Sequence, residues 1–335
     1  TKPFIKRNGY NSHSFFQRSF MLKIAVSACL LGEQIRYDKT GQRDRFITDK
    51  LGKYASFIPF CPEHLAFGTP RETIRIVLEN EQKKVITVFS KADVTEAMSR
   101  AMTHELEKIK KEELCGIILK SKSPSCGLGS TKYYFKEMSE GKKDGLFAAL
   151  CKEHFVDFPI EEEARLLDPW LRENFVMQLF AYHDATRLQN HIKTMNELVA
   201  FHTAYKFLLQ SKHEGNYRLL GKIVANHEKK SLRELTQEYI TLFKKTIAHK
   251  STIAKTVNVL QHMVGFFKKE LTSVEKQALH MQIEEFRDEI VPLIAVMNTI
   301  EFLAKKYDIH YLLGQKFLNP YPKDLALRST IQEGK

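Results

Sequence analysis

The chain has 335 residues, 43% hydrophobic and 27% charged, a balance that supports folded cores and excludes long disorder, and its length calls for two domains rather than one. A formal net charge of +12 favours polyanionic partners, and no apolar run approaches the ~18 residues of a membrane-spanning helix. Five cysteines are too sparse for a disulfide scaffold and no secretory signal opens the chain, so a reducing cytoplasm is expected, with cysteines as thiols or metal ligands.

Residues 1–20 carry Lys2, Lys6, Arg7 and Arg18 without an acid, and read as a basic N-terminal extension outside the fold. Strand-like and helix-like segments then alternate. Residues 23–27 form an apolar strand leading into Cys29, and 57–60 form a short strand ending at Cys61. Residues 84–89 suit a further strand, 92–111 a helix and 115–120 another apolar strand, followed by the turn formers of 123–129. This alternation predicts an α/β domain over 21–160, a small open sheet with covering helices.

From about Asp168 glycine and proline become rare, and apolar residues recur every three or four positions. Helices are predicted over 168–186, 190–212, 232–249, 252–269, 273–289 and 292–306. Residues 161–335 thus read as an all-α domain, ending in an extended tail at Asn319-Pro320-Tyr321-Pro322. The boundary is expected within 158–167. Residues 187–269 hold 15 basic against 5 acidic side chains, a local +10 suited to a polyanion. Lys206, Lys212, His213, Arg218 and Lys222 are the candidate RNA contacts from this stripe, against the plainer reading of solvated helix faces. Tyr205, Phe207 and Tyr217 sit at helical spacing and read first as core, and His202 as a packing residue.

Cys29, Cys61 and Cys126 each follow a predicted strand and sit in a loop. Ligands of open α/β sheets bind outside the carboxyl ends of the strands, and three converging thiolates make a soft metal site. No C-x-x-C spacing signals a structural zinc, so three ordinary buried thiols remain the alternative. Glu63 and Ser123 are near enough in sequence to serve as general base and proton relay, or as a helix-start charge and a turn residue. Arg36, Tyr37, Asp38 and Arg71 suit a polar substrate. Cys115 and Cys151 lie in apolar segments and read as structural.

Three motifs carry a family resemblance. Cys29-Leu30-Leu31-Gly32 with Arg36-Tyr37-Asp38, Cys61-Pro62-Glu63 with Gly68-Thr69-Pro70-Arg71, and Ser123-Pro124-Ser125-Cys126-Gly127 resemble the TudS-type desulfidases. That likeness implies a 4Fe-4S cluster on Cys29, Cys61 and Cys126 with one open iron. It further implies a hydrolytic, redox-neutral reaction in which Glu63 activates water and Ser123 assists proton transfer. Two stretches depart from the family pattern, His64-Leu65-Ala66-Phe67, which lacks glycines, and Thr73, where proline is expected.

Phe201-His202-Thr203-Ala204-Tyr205-Lys206, Tyr217-Arg218-Leu219-Leu220-Gly221 and Pro320-Tyr321-Pro322-Lys323-Asp324-Leu325 resemble the helical module of RudS-type proteins. This implies conversion of 4-thiouridine in tRNA to uridine with release of hydrosulfide. A desulfidase of free thiouracil or thionucleosides, and a non-catalytic RNA-binding protein with a structural or sensing metal site, are the competing readings. Oligomeric state is not legible in the sequence.

Overall fold

Strands that are apolar along their whole length must be covered on both faces, which favours parallel pairing beneath helices. β1 (Leu22–Ser27), β2 (Ala55–Phe60) and β5 (Gly116–Leu119) are largely apolar and follow this pattern, and with β8 (Ile160–Glu162), which reads Ile-Glu-Glu, they form a parallel sheet in the order β2-β1-β5-β8. The computed structural model describes residues 21–79, 82–135 and 137–325, so the basic extension lies outside the described residues. The chain leaves β1 toward β2 on one side and leaves β5 toward β8 on the other. The carboxyl ends of β1 and β5 therefore flank a topological switch point.

A second sheet, in the order β4-β3-β6-β7, was not expected as a separate layer. It comprises β3 (Ile74–Glu79), β4 (Gln82–Thr87), β6 (Thr131–Phe135) and β7 (Met138–Lys143). Of these only β4 was foreseen, two residues out of register. β7 reads Met-Ser-Glu-Gly-Lys-Lys and is exposed along its length, so it carries no apolar alternation to betray it. Helix α1 (Pro62–Phe67) follows β2, α2 (Thr95–Lys110) follows β4, and α3 (Leu146–His154) follows β7.

The helical region begins with α4 (Pro169–His191), started by Pro169 and by Asp168, whose side chain accepts from Leu171 N. α5 (Met195–Lys212), α7 (Leu232–Ala248) and α9 (Ser273–Arg287) each open on a capping box, from Thr194/Glu197, Ser231/Glu234 and Thr272/Glu275. α8 (Ile253–Val264) and α10 (Leu293–Lys306) complete the helices that were expected. Two more were not: α6 (Glu214–Ala225) and the single turn α11 (His310–Leu313). α6 escaped because Gly215 and Gly221 lower its propensity and its cap is unusual, the His213 imidazole accepting from Asn216 N at 3.0 Å. Residues 319–322 form no helix, and Tyr321 packs inward with its hydroxyl donating to Glu173 Oε1 at 3.0 Å.

One apolar cluster runs from Leu22, Ile24 and Val26 of β1 through Phe175 and Leu179 of α4 into α5, α7 and α10. Gly116 permits this contact, because a Cβ there would lie 2.1 Å from Leu179 Cδ2. A division at residue 160 would cut β8, whose pairing with β5 continues to Glu162.

Candidate active site at the carboxyl edge of the parallel sheet

All three candidate ligand cysteines lie where parallel strands end. β1 runs into a 3-10 turn, Ala28–Leu31, that holds Cys29; the turn is closed by Gly32 at φ 99°, a left-handed conformation that favours glycine. β2 runs into Cys61, which caps α1 by accepting from His64 N on Sγ at 3.4 Å. β5 runs into the loop that carries Cys126. Each thiol is free, and Cys29 and Cys126 are buried while Cys61 is half-buried. Cys126 interacts electrostatically with both of the others.

Burial pushes the Cys29 and Cys61 thiols up to about 12, with the nearby Cys126 charge adding to it. Cys126 rises to about 11, again through burial, opposed by hydroxyls of Ser125, Ser27 and Ser123 that favour its thiolate. Three desolvated thiols, two of them with donors already aimed at sulfur, become thiolates beside a positive charge, which suits a cationic iron–sulfur group. Among the described residues no three His, Cys, Asp or Glu side chains converge closely enough to hold a single metal ion.

Beside them stands one carboxylate with three donors. Glu63 Oε1 accepts from Ser123 Oγ at 2.8 Å and Ser125 Oγ at 2.6 Å, and Oε2 accepts from Arg71 Nη2 at 3.1 Å. Ser125 Oγ also lies 3.4 Å from Cys126 Sγ, so a single hydroxyl joins the carboxylate to a candidate ligand. Ser123 Oγ additionally accepts from Ser125 N and Cys126 N, fixing the loop. Ser125 was missed in the sequence reading. Its signal was its place in Ser-Pro-Ser-Cys, two residues after Ser123 and against the cysteine.

Arg71 was expected to orient substrate, but its side chain is 5% exposed and turned on the protein. Nη1 donates to Ile35 O at 2.7 Å and Gly68 O at 3.0 Å while Nη2 holds Glu63, which makes Arg71 a positioning residue. Arg71 N also donates to Tyr37 O at 3.2 Å, drawing the loop of Arg36, Tyr37 and Asp38 toward the same edge. Arg36 and Tyr37 stay on its outside, the guanidinium 5.6 Å from the ring centroid. Asp38 is occupied within the loop, accepting from Thr40 N and Thr40 Oγ1, and these hydrogen bonds lower its pKa.

Behind the Cys126 loop stand two acids at the end of β8. Glu163 accepts from Ser121 N at 2.6 Å and Ser121 Oγ at 2.7 Å, and it pairs with Lys120. Glu162 Oε2 accepts from Leu128 N at 2.9 Å and Ser130 Oγ at 2.6 Å. The fourth strand of the sheet thus anchors both ends of the loop.

The helical candidates scatter. Arg218 and Lys222 are exposed on α6, Arg218 Nε pairing with Glu214 at 3.1 Å. Lys206 is half-buried against Phe207 and Tyr311, and His213 caps α6. Lys212 is 2% exposed and donates inward to Asn174 Oδ1, so its ammonium is not on a surface an RNA backbone can reach, a correction to the expected role. Tyr205 and Phe207 are buried core, as periodicity predicted. His202 packs parallel to Tyr217 and meets Tyr239 Oη at 3.1 Å, and burial lowers its pKa to about 4. Cys115 and Cys151 are buried, Cys115 Sγ donating to Lys23 O at 3.2 Å and Cys151 sharing an apolar cluster with Cys126.

Residues 24–163 match the family model for 2-thiouracil desulfurase, and residues 206–322 match a family described as a protein of unknown function, DUF1722. The uncharacterized protein YbgA of Escherichia coli (strain K12) is 28% identical over 157 residues, 47% of this chain and 93% of that protein. The uncharacterized protein YbbK of Bacillus subtilis (strain 168) is 34% identical over 140 residues, 39% of this chain and 89% of that protein. A solved structure of the [4Fe-4S]-dependent thiouracil desulfidase TudS is 32% identical, covering 44% of this chain and 94% of its own, at a TM-score of 0.36. With its three cysteines at one sheet edge and these sequence matches, the chain belongs through residues 24–163 to the 2-thiouracil desulfurase family.

Proposed function

We propose that the chain is a 4Fe-4S-dependent desulfidase that converts 4-thiouridine in tRNA to uridine, with water as co-substrate and hydrosulfide as the leaving group. The observation that carries this reading is the hydrogen-bonded unit of Arg71, Glu63, Ser123 and Ser125 set against Cys126. Cys29, Cys61 and Cys126 would hold the cluster. When bound, a cluster with three protein ligands supplies an open iron, a Lewis acid suited to a soft thiocarbonyl sulfur.

The protein's own part is proton handling. Arg71 keeps Glu63 oriented, and Glu63 takes a proton from the attacking water. Ser123 and Ser125 both bond to the same carboxylate oxygen, which gives the proton a short route toward the departing sulfur. The new carbonyl oxygen comes from water and the carbon–sulfur bond breaks, so no electrons enter or leave. The basic character of residues 187–269, with Arg218 and Lys222 exposed, supports a tRNA substrate. A base stacked within tRNA must be extruded at a cost of a few kcal/mol, which backbone binding offsets.

Anaerobic purification, iron and sulfide analysis, and incubation with 4-thiouridine-containing tRNA test this. Cluster-dependent loss of the thiouridine absorbance is expected; a chain that reconstitutes no cluster removes the reading. One alternative has support of its own, since the matched family is named for thiouracil. Equal efficiency on free thiouracil and on thiolated tRNA would favour it.

A further inference from the structure

The loop that presents Ser123, Ser125 and Cys126 is held by residues at the base of the β6–β7 hairpin. Thr131 Oγ1 donates to Ser123 O at 2.7 Å, Ser130 Oγ accepts from Lys122 N at 2.8 Å, and Gly145 N donates to Gly127 O at 2.7 Å. The base of the hairpin therefore adjoins the active site, and its tip, Phe135 opposite Met138, points away along the strands. At that base stand Lys132 and Lys142, direct cross-strand partners, with Lys143 next to them and Lys122 on the adjoining loop. All four are exposed, and among the described residues none forms an ion pair; Lys143 Nζ lies 5.5 Å from the Tyr133 ring centroid.

Like charges directly opposite one another weaken a hairpin, so this arrangement does nothing for the fold. Lysines on an edge strand do guard against sheet-to-sheet aggregation. That explains Lys142 and Lys143 on β7, but not Lys132, whose strand is flanked by β3 and β7, nor Lys122 in a loop. Of the other basic groups on this sheet, Lys84 is paired with Glu79 and Arg75 with Glu137, while Lys83 Nζ lies 5.9 Å from the Tyr133 ring centroid. Lys122, Lys132, Lys142 and Lys143 are gathered at the end of the sheet that adjoins the catalytic loop.

We propose that Lys122, Lys132, Lys142 and Lys143 bind the sugar–phosphate backbone of the RNA beside the thiolated nucleotide. The desulfidase domain would then grip RNA next to the reacting base, in addition to any hold by the helices. This rests on the tRNA reading above and places a second contact for it.

The test uses the full cluster-loaded chain and labelled tRNA lacking the thiol, so that binding is measured without turnover. Anisotropy titrations over a KCl series give the slope of log affinity against log salt. Each lost phosphate contact lowers that slope by about 1, so K132Q/K142Q is expected to bind more weakly with a slope smaller by about 2. K132R/K142R should keep the wild-type slope, and K84Q, which removes a matched lysine of the same sheet, should leave it unchanged. Melting temperatures no lower than wild type would show that the exposed substitutions fold. A double variant with the wild-type slope, or a K84Q slope that falls as far, overturns the hairpin inference while leaving the tRNA reading intact. A wild-type chain that does not bind tRNA overturns both.

Discussion

Lys212 is a buried lysine whose cost can be worked out from its surroundings. It lines a cavity of about 70 Å³ with Trp170, Glu173, Asn174 and Ser211, and Asn174 Oδ1 accepts from its Nζ. Burial lowers its pKa from 10.5 to about 7, opposed by the charge of Glu173 and reinforced by Lys255. The unfolded chain keeps the proton to 10.5 and the folded chain releases it near 7, so in between the unfolded state binds more protons and stability rises with pH. The benefit is complete above the unfolded value and is lost as the pH falls to about 7, below which both states are charged. At about 1.4 kcal/mol per tenfold change, this contributes at most about 3 kcal/mol between about pH 7 and pH 9.5. Lys212→Met removes it. The orphaned Asn174 oxygen costs about 1 kcal/mol at either pH and cancels from the comparison. Urea denaturation of wild type and variant at both pH values checks this, with wild type gaining more stability on the alkaline side. Equal gains in the two proteins would refute the reasoning.

Other outcomes follow from the site. Glu63→Gln should lower turnover by about 10²–10⁴-fold while iron content and visible spectrum hold, because the amide still accepts from the two serines but cannot take a proton. Cys126→Ala should abolish the visible cluster absorbance, whereas Cys115→Ala should keep it and cost about 1–2 kcal/mol of stability in a denaturant melt. Gly145→Ala changes no catalytic side chain, yet its Cβ would lie 2.5 Å from Ser125 O and 2.7 Å from Ser125 C. Its backbone neighbour must shift, so iron content and turnover should fall together; a variant with wild-type values of both would show that the Ser125 loop tolerates displacement.

The long helices and apolar strands were legible because their signals are local. Three- and four-residue apolar spacing marked α4, α5, α7, α8, α9 and α10, and continuous apolar runs marked β1 and β5. The same locality exposed Cys29 and Cys61 at strand ends and Cys126 in the loop that follows β5, together with Glu63 and Ser123. Hidden from it were β3, β6 and β8, which pair with strands distant in the chain, and β7, whose exposed side chains carry no apolar alternation. The roles of ambiguous residues depended on the same long-range contacts. Lys206 and Lys212 are both lysines of the basic stripe, yet one is half-buried on aromatic rings and the other enclosed beside Asn174. Arg71 could have faced a substrate until Ile35 O, Gly68 O and Glu63 took its guanidinium. Sequence determined the long helices, the apolar strands and which residue types follow them, because periodicity and turn chemistry act over a few residues. Which of those side chains meet, which are buried, and which hydroxyl bridges Glu63 to Cys126 were decided by tertiary structure, since burial and hydrogen-bond partners come from segments remote in the chain.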